Sequence, residues 1–347
     1  MMTTQPAVER HRLANAQGTT IEFIPLGGTI TSILLPDRNG ALADVVPGFD
    51  TADEYRANGR YFGALIGRFA NRIARGRFVL DNHEYSLPLN DGSNHLHGGP
   101  AGFHARDWRV APFRRAGASG AVLCCRSVDG DGAYPGTLTT RVTYTLDDDN
   151  AFRIDYSAVT DAPTIVNLTQ HTYFNLSGHD GGDILDHELT VNATYYTPID
   201  ATSIPTGAFR GVIGTPFDFT MPRRLGERLD TRDEQLRFVG GYDHNFQIRR
   251  HRAAELTVAA RLRDPKSGRF VEISTTEPGL QVYTGNTMDA GAPGKGGHRY
   301  GKHAAIALEA QHFPDSPNQP HFPSTVLRPG EEFVSATVYR FGVGDSV

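Results

Sequence analysis

The chain has 347 residues, with 34 Lys and Arg against 39 Asp and Glu, a formal net charge of −5 and 21% charged residues. Phosphate backbones are bound through a surplus of basic side chains, and this chain has none, so nucleic acid is excluded as the main partner. Aromatic and β-branched residues run through the whole sequence, which excludes a disordered chain, and the adjacent pair Cys124 and Cys125 suits neither a disulfide framework nor a four-ligand zinc site.

Residues 1–17 include Glu9, Arg10 and Arg12 and no apolar run of seven or more, so a loosely ordered start is expected rather than a secretory signal. No stretch approaches the ~18 apolar residues of a membrane helix. Two cysteines in so long a chain fit a reducing compartment, so a cytoplasmic setting is expected. Thr51 to Ala57 has the length of two helical turns, with Thr51 as the cap. Gly67 to Ile73 then places Arg68, Asn71 and Arg72 in an apolar run, where a guanidinium needs acceptors unless it is solvated. In Asn94-His95-Leu96-His97-Gly98-Gly99 the paired glycines allow a close backbone approach, which leaves His97 unexplained by a simple turn.

Between Leu138 and Val159 a hairpin is legible. Val142, Tyr144 and Leu146 alternate with threonines, Asp147 to Asn150 form a polar turn, and Phe152, Ile154, Tyr156 and Ala158 resume the alternation. Thr164 to Gly178, taken as one strand, puts Val166 and Leu168 on one face. The other face carries Asn167, Thr169, His171, Tyr173 and Asn175, the character of a ligand pocket. Met221 to Leu229 is expected as a short surface helix opened by Pro222. In Tyr242 to Phe246 the acid Asp243 stands at a strand entry, and Gln281 lies opposite Leu280 and Val282. Leu256, Val258, Ala260 and Leu262 alternate, as does the closing segment Phe333 to Phe341. The sharpest feature is Glu309, one carboxylate among Ala304, Ala305, Ile306, Ala307, Leu308 and Ala310; such a group pairs with a cation or awaits a substrate.

Helical signals are poor and no βα alternation recurs, which excludes a doubly wound sheet and a β/α barrel. One large antiparallel β-sandwich with few short helices is expected, as a single catalytic domain over residues 1–347. Gly-x-Ser-x-Gly and His-Glu-x-x-His are absent, and Gly291 to Lys295 lacks phosphate-loop spacing. His95 and His97 would share a strand face as two metal ligands do, yet no third ligand stands near them, so hydrogen bonding is the expected use.

Taken in order, GRFANRI at 67–73, NHLHGG at 94–99, NLTQHTYFNLSG at 167–178, YDHNF at 242–246, GLQVYTGN at 279–286 and ALEAQHFPDSPN at 307–318 resemble the motifs of the aldose 1-epimerase, or galactose mutarotase, family. The resemblance runs from about Leu26 to Phe341. It implies the family's galactose mutarotase-like supersandwich and a reaction without metal or organic cofactor. By the same resemblance His171 is the general acid and Glu309 the general base, and Asn71, Arg72, His97, Asp243 and Gln281 bind sugar. The expected substrate is a free hexose such as galactose or glucose, and the protein a monomer or homodimer with no nucleic-acid or membrane partner.

One carboxylate and one imidazole suit that chemistry. A base takes the C1 hydroxyl proton, an acid protonates the ring oxygen, the aldehyde end rotates, and reclosure reverses both transfers. Three rivals are weighed. A hexose-6-phosphate 1-epimerase would use Arg68, Arg75 or Arg77 on the phosphate. A non-catalytic sugar-binding module would be expected to lack His171 or Glu309. A glycosidase built on Asp243 and Glu309 would leave His171 without a task. Near neutral pH the donor must hold a proton, and Asp243 is expected to raise the His171 pKa and so to set the alkaline limit of activity.

Overall fold

The architecture follows from period-two strands, and the computed structural model describes residues 9–57, 59–229 and 232–344. The largest sheet has nine antiparallel strands. Its spatial order is Arg109–Arg115, Ala118–Ser127, Leu138–Asp147, Ala151–Thr160, Phe333–Val343, Arg269–Thr275, Thr257–Arg263, Glu188–Val191 and Arg223–Arg224. The expected hairpin lies at its centre, with Leu146 opposite Phe152, Tyr144 opposite Ile154 and Val142 opposite Tyr156. All six are buried. Asp147 closes the turn by accepting from the amides of Asp149 and Ala151 at 3.0 and 2.8 Å, as a short acidic side chain does. The closing strand Phe333–Val343 also points Tyr339 and Phe341 inward, as the alternation requires.

A second sheet of six strands positions the chemistry. Its order is Tyr173–Phe174, Ile306–Gln311, Gly279–Tyr283, Asp243–Ile248, Ala193–Tyr196 and Arg210–Gly211. Leu280, Val282, Ile306 and Leu308 pack into one cluster with Tyr144, Ile154 and Tyr339 of the large sheet, so that face is core. Side chains alternate along a strand, and the opposite face therefore carries Asp243, Gln281 and Glu309. Registers order them in two rows. Asp243, Tyr283, Ala307 and Tyr173 pair in one, and Asn245, Gln281 and Glu309 in the next.

Four local expectations come out differently. Residues 1–8 lie outside the described residues, but His11–Ala14 is a strand paired with Thr20–Phe23, anchored by buried Leu13. Residues 164–178 are not one strand: Thr164–Ile165, Thr169–Gln170 and Tyr173–Phe174 pair with three different partners. Leu256 and Val258 face outward, because a bulge between Val258 and Ala260 shifts the register before Ala260 and Leu262 turn inward. The Met221 to Leu229 helix is only a 3-10 turn, Leu225–Arg228, after the short strand Arg223–Arg224.

Of the two α-helices among the described residues, Ala52–Ala57 was legible. Thr51 Oγ1 accepts from the Glu54 amide at 3.3 Å and Glu54 Oε2 accepts from the Thr51 amide at 2.8 Å. The other, Glu234–Val239, was not anticipated. Asp233 caps its start and Gly240, at φ 69°, its end. No helix among the described residues is long and apolar enough to cross a membrane.

Candidate active site

Strand pairing brings residues far apart in sequence to one cavity of about 400 Å³. Asn71, Arg72, His97, His171, Asp243 and Glu309 all line it. Gln281 does not; it is buried just behind and donates from Nε2 to Asp243 Oδ1 at 2.7 Å. Tyr61, Asp91, Tyr173 and Tyr283 complete the walls, while Ser203, Phe238 and Thr287 stand among the other lining residues.

Asn71 and His97 hold each other. Both are left-handed, at φ 63° and 53°. The Asn71 amide donates to His97 Nδ1 and the His97 amide donates to the Asn71 carbonyl, each at 3.1 Å. With Nδ1 accepting, a neutral His97 carries its proton on Nε2. The following Gly98 is required: a Cβ there would lie 1.9 Å from the Gly67 carbonyl oxygen, and its φ is 81°. His95 has a different task. Its Nδ1 meets Pro88 O and its Nε2 the Tyr134 hydroxyl, both at 2.7 Å. The strand His95–Leu96 ends before His97, so the two histidines do not share a face.

Arg72 is the positive centre of the cavity. Its Nε lies 2.7 Å from Asp91 Oδ2 and its Nη1 3.6 Å from Asp243 Oδ2. Asp91 sits in the turn Asn90-Asp91-Gly92, which in sequence is an ordinary loop signal and hid its role. Arg68 points elsewhere, into a cage of Ser127 O, Val128 O and Pro135 O at 2.8–2.9 Å. Neither Arg75 nor Arg77 lines the cavity, and Arg77 faces Glu84 at the surface. None of the three is therefore available there to a phosphate. On the supposed ligand face of 164–178, Asn167, Thr169 and Asn175 bond main-chain carbonyls instead, and His171 and Tyr173 are the members that reach the cavity.

His171 Nε2 and Glu309 Oε2 stand 3.5 Å apart, both side chains almost fully buried. Burial pushes the His171 pKa down to about 3. Burial, reinforced by the Asp243 charge and opposed by Arg72, holds the Glu309 carboxyl well above its usual range. Burial therefore favours a protonated Glu309 beside a neutral imidazole over the charged pair. The expected action of Asp243 on His171 is not found: its charge acts on Glu309, in its own sheet, and is not among the influences on His171. Ligand atoms of His97, His171 and Glu309 lie within 4.8 Å of one another, so these are the residues that would hold a metal ion if one bound.

Buried imidazoles also set acid stability. Burial lowers His104 and His187 to about 4, His171 and His244 to about 3, and His97 well below 6.5. The unfolded chain protonates them near 6.5, so between that value and about 4 it binds more protons than the folded one. Stability is then lost as pH falls, by about 1.4 kcal/mol per unit for each ring in its window. Glu309 runs the other way, its contribution being lost as pH rises above the unfolded carboxyl value. Five rings outweigh one carboxyl. Urea midpoints are expected to fall steadily from pH 7 to pH 4.5, and a flat series would contradict these burial effects.

Comparison with known proteins identifies the family. Residues 9–340 match the family described as aldose 1-epimerase. The chain is 43% identical over 337 residues to rat galactose mutarotase, covering 97% of this chain and 95% of that protein. It is 36% identical over 331 residues to the aldose 1-epimerase of Escherichia coli K12, covering 95% and 94%. A solved aldose epimerase homologue from C. elegans superposes with a TM-score of 0.89 at 32% identity, covering 98% of this chain and 100% of that one. Galactose 1-epimerase from Lactobacillus acidophilus does so at 0.84 and 28%, with 98% and 100% covered. A polar, sheet-borne cavity with one carboxylate facing one imidazole and a match along nearly the whole sequence lead to one conclusion: the chain belongs to the aldose 1-epimerase family and is an isomerase of that activity.

Proposed function

We propose that His171 and Glu309 carry the two proton transfers that open and reclose the ring of a free hexose such as galactose or glucose. The observation that supports this is the 3.5 Å approach of His171 Nε2 to Glu309 Oε2 at the cavity wall. Glu309 takes the proton of the C1 hydroxyl and His171 gives one to the ring oxygen, which breaks the C1–O bond and leaves an open-chain aldehyde. Rotation about C1–C2 presents the other face of the carbonyl, and the same two groups return their protons on closure. No charged sugar intermediate has to persist.

The electrostatics favour the middle of this sequence. After ring opening Glu309 is a neutral acid and His171 a neutral base, the distribution that burial favours. The low-polarity site therefore stabilises the open-chain state and costs nothing in total charge, since the pair holds one proton throughout. His97 offers its Nε2–H to a sugar oxygen, Arg72 a guanidinium held by two carboxylates, and Asp243 a carboxylate oriented by Gln281. Asn71 keeps His97 in place.

A phosphorylated sugar is disfavoured, because Arg68 is bound to main-chain carbonyls and Arg75 and Arg77 lie away from the cavity. The two arginines that line it are already paired, Arg60 with Asp289 and Arg72 with Asp91 and Asp243. Every group named lies on one chain, and a core cluster reaching from Leu13 to Phe341 supports a single catalytic domain. Polarimetry of freshly dissolved α-galactose and α-glucose tests the reading. The protein is expected to speed the approach to equilibrium for a free hexose, and to do so undiminished after exhaustive chelation. Loss of rate restored by a divalent ion would make His97, His171 and Glu309 a metal centre instead.

A further inference from the structure

His171 is held differently from several other buried histidines. His97 is fixed through Nδ1 by the Asn71 amide, His187 through Nε2 by the Leu176 amide, and His95 through both nitrogens. The second nitrogen of a working imidazole normally has such a partner, which sets ring orientation and tautomer. His171 Nδ1 is buried and makes no well-formed hydrogen bond. Its own carbonyl favours the charged ring, against a larger effect of burial.

What the ring has is aromatic neighbours: His97 meets it edge-on at 5.2 Å, and two tyrosines stack on it. Tyr173 stacks on one side, with centroids 4.8 Å apart and planes at 28°. Tyr61 stacks too, with centroids 6.0 Å apart and planes at 24°. Each tyrosine is itself braced. Tyr173 meets Phe62 edge-on at 5.1 Å, and Tyr61 meets His97 and His104 edge-on at 4.7 and 4.8 Å. Both tyrosines line the cavity. An aromatic face within about 6 Å of a cation attracts it through the ring quadrupole, most strongly where water is excluded.

We propose that Tyr61 and Tyr173 are positioning residues for the proton donor, fixing the plane of His171 and stabilising its protonated form through their π faces. This rests on the assignment of His171 as general acid. It supplies what no hydrogen bond supplies: a ring held by packing, and a cation favoured without a second carboxylate that would compete with Glu309 for the proton. The π faces act on the imidazolium formed for transfer, so their loss lowers kcat and leaves sugar affinity largely alone.

The test keeps shape and changes only the quadrupole. Tyr61→Phe is the reference, followed by mono-, di- and trifluorinated phenylalanine at the same position in the full-length protein. The expected result is a stepwise fall of kcat totalling about five- to thirty-fold, with KM within about twofold. A parallel series at position 173 keeps the test open if one position folds poorly. A kcat that stays flat across both series overturns the inference, because a purely structural ring is indifferent to fluorination. His171→Asn separates the two readings: a rate close to wild type would overturn the acid assignment itself. An inactive His171→Asn with flat series would remove only the role of the tyrosines.

Discussion

Replacing Glu309 by Gln is expected to slow anomer interconversion by about 10²–10⁴-fold, the usual contribution of a positioned general base, while sugar binding survives. The geometry makes this a clean substitution. Ile306–Gln311 is buried at every position, and burial favours the neutral form of Glu309 there. An amide has the same shape and no charge to solvate, so the fold should tolerate it. Glu309 Oε2 makes no hydrogen bond within the protein, so little of the internal network depends on it. Rate measured by polarimetry and affinity measured by calorimetry should therefore separate. A variant that keeps more than about a tenth of the wild-type rate would remove Glu309 from the role of base.

Asp243→Asn should move the alkaline limb of kcat/KM to lower pH and lower kcat/KM by about ten- to a hundred-fold. The working pair holds one proton. On the acid side it is lost as an active unit when His171 gains a second proton, near pH 3. On the alkaline side it is lost when the last proton leaves, and that proton belongs to Glu309, whose pKa is raised by burial and by the Asp243 charge. Removing that charge lowers the Glu309 pKa, and Arg72, freed from one of its two carboxylates, lowers it further. The limb moves down. The drop in kcat/KM has a separate origin, the loss of a sugar contact and of the acceptor for Gln281. Profiles of both proteins decide the point, since an unmoved limb would confine Asp243 to holding sugar hydroxyls.

The sequence alone points to the same direction for that shift, but through His171 rather than Glu309. Asp243 is the second carboxylate of the motif set, yet only the registers Asp243 with Tyr283 and Gln281 with Glu309 reveal which partner its field reaches. Glu309 was legible because a lone carboxylate among alanines has few structural uses. The 138–159 hairpin was legible because alternation and an acidic turn agree. The segment 164–178 misled for the opposite reason. Its polar alternation mixes His171, which faces the cavity, with Asn167, Thr169 and Asn175, which satisfy buried main chain, and composition alone does not distinguish these uses. Tyr61 and Asp91 left no sequence signal. Tyr61 adjoins an apolar residue, and Asp91 resembles any turn aspartate.

The sheet face that bears Asp243, Gln281 and Glu309 backs directly onto the core, whereas Ser203, Phe238 and Thr287 reach the same cavity from a turn, a six-residue helix and a loop. For an engineer this divides the cavity into a part to leave alone and a part to diversify. A library at position 238 would reshape the entrance for bulkier or differently branched sugars, whereas Thr287 holds the Tyr283 hydroxyl at 2.8 Å and Ser203 stands at φ 64°, so both are less free to vary. At Phe238, which is exposed, the stability cost of a change should stay near that of an ordinary surface substitution, within about 0.5 kcal/mol.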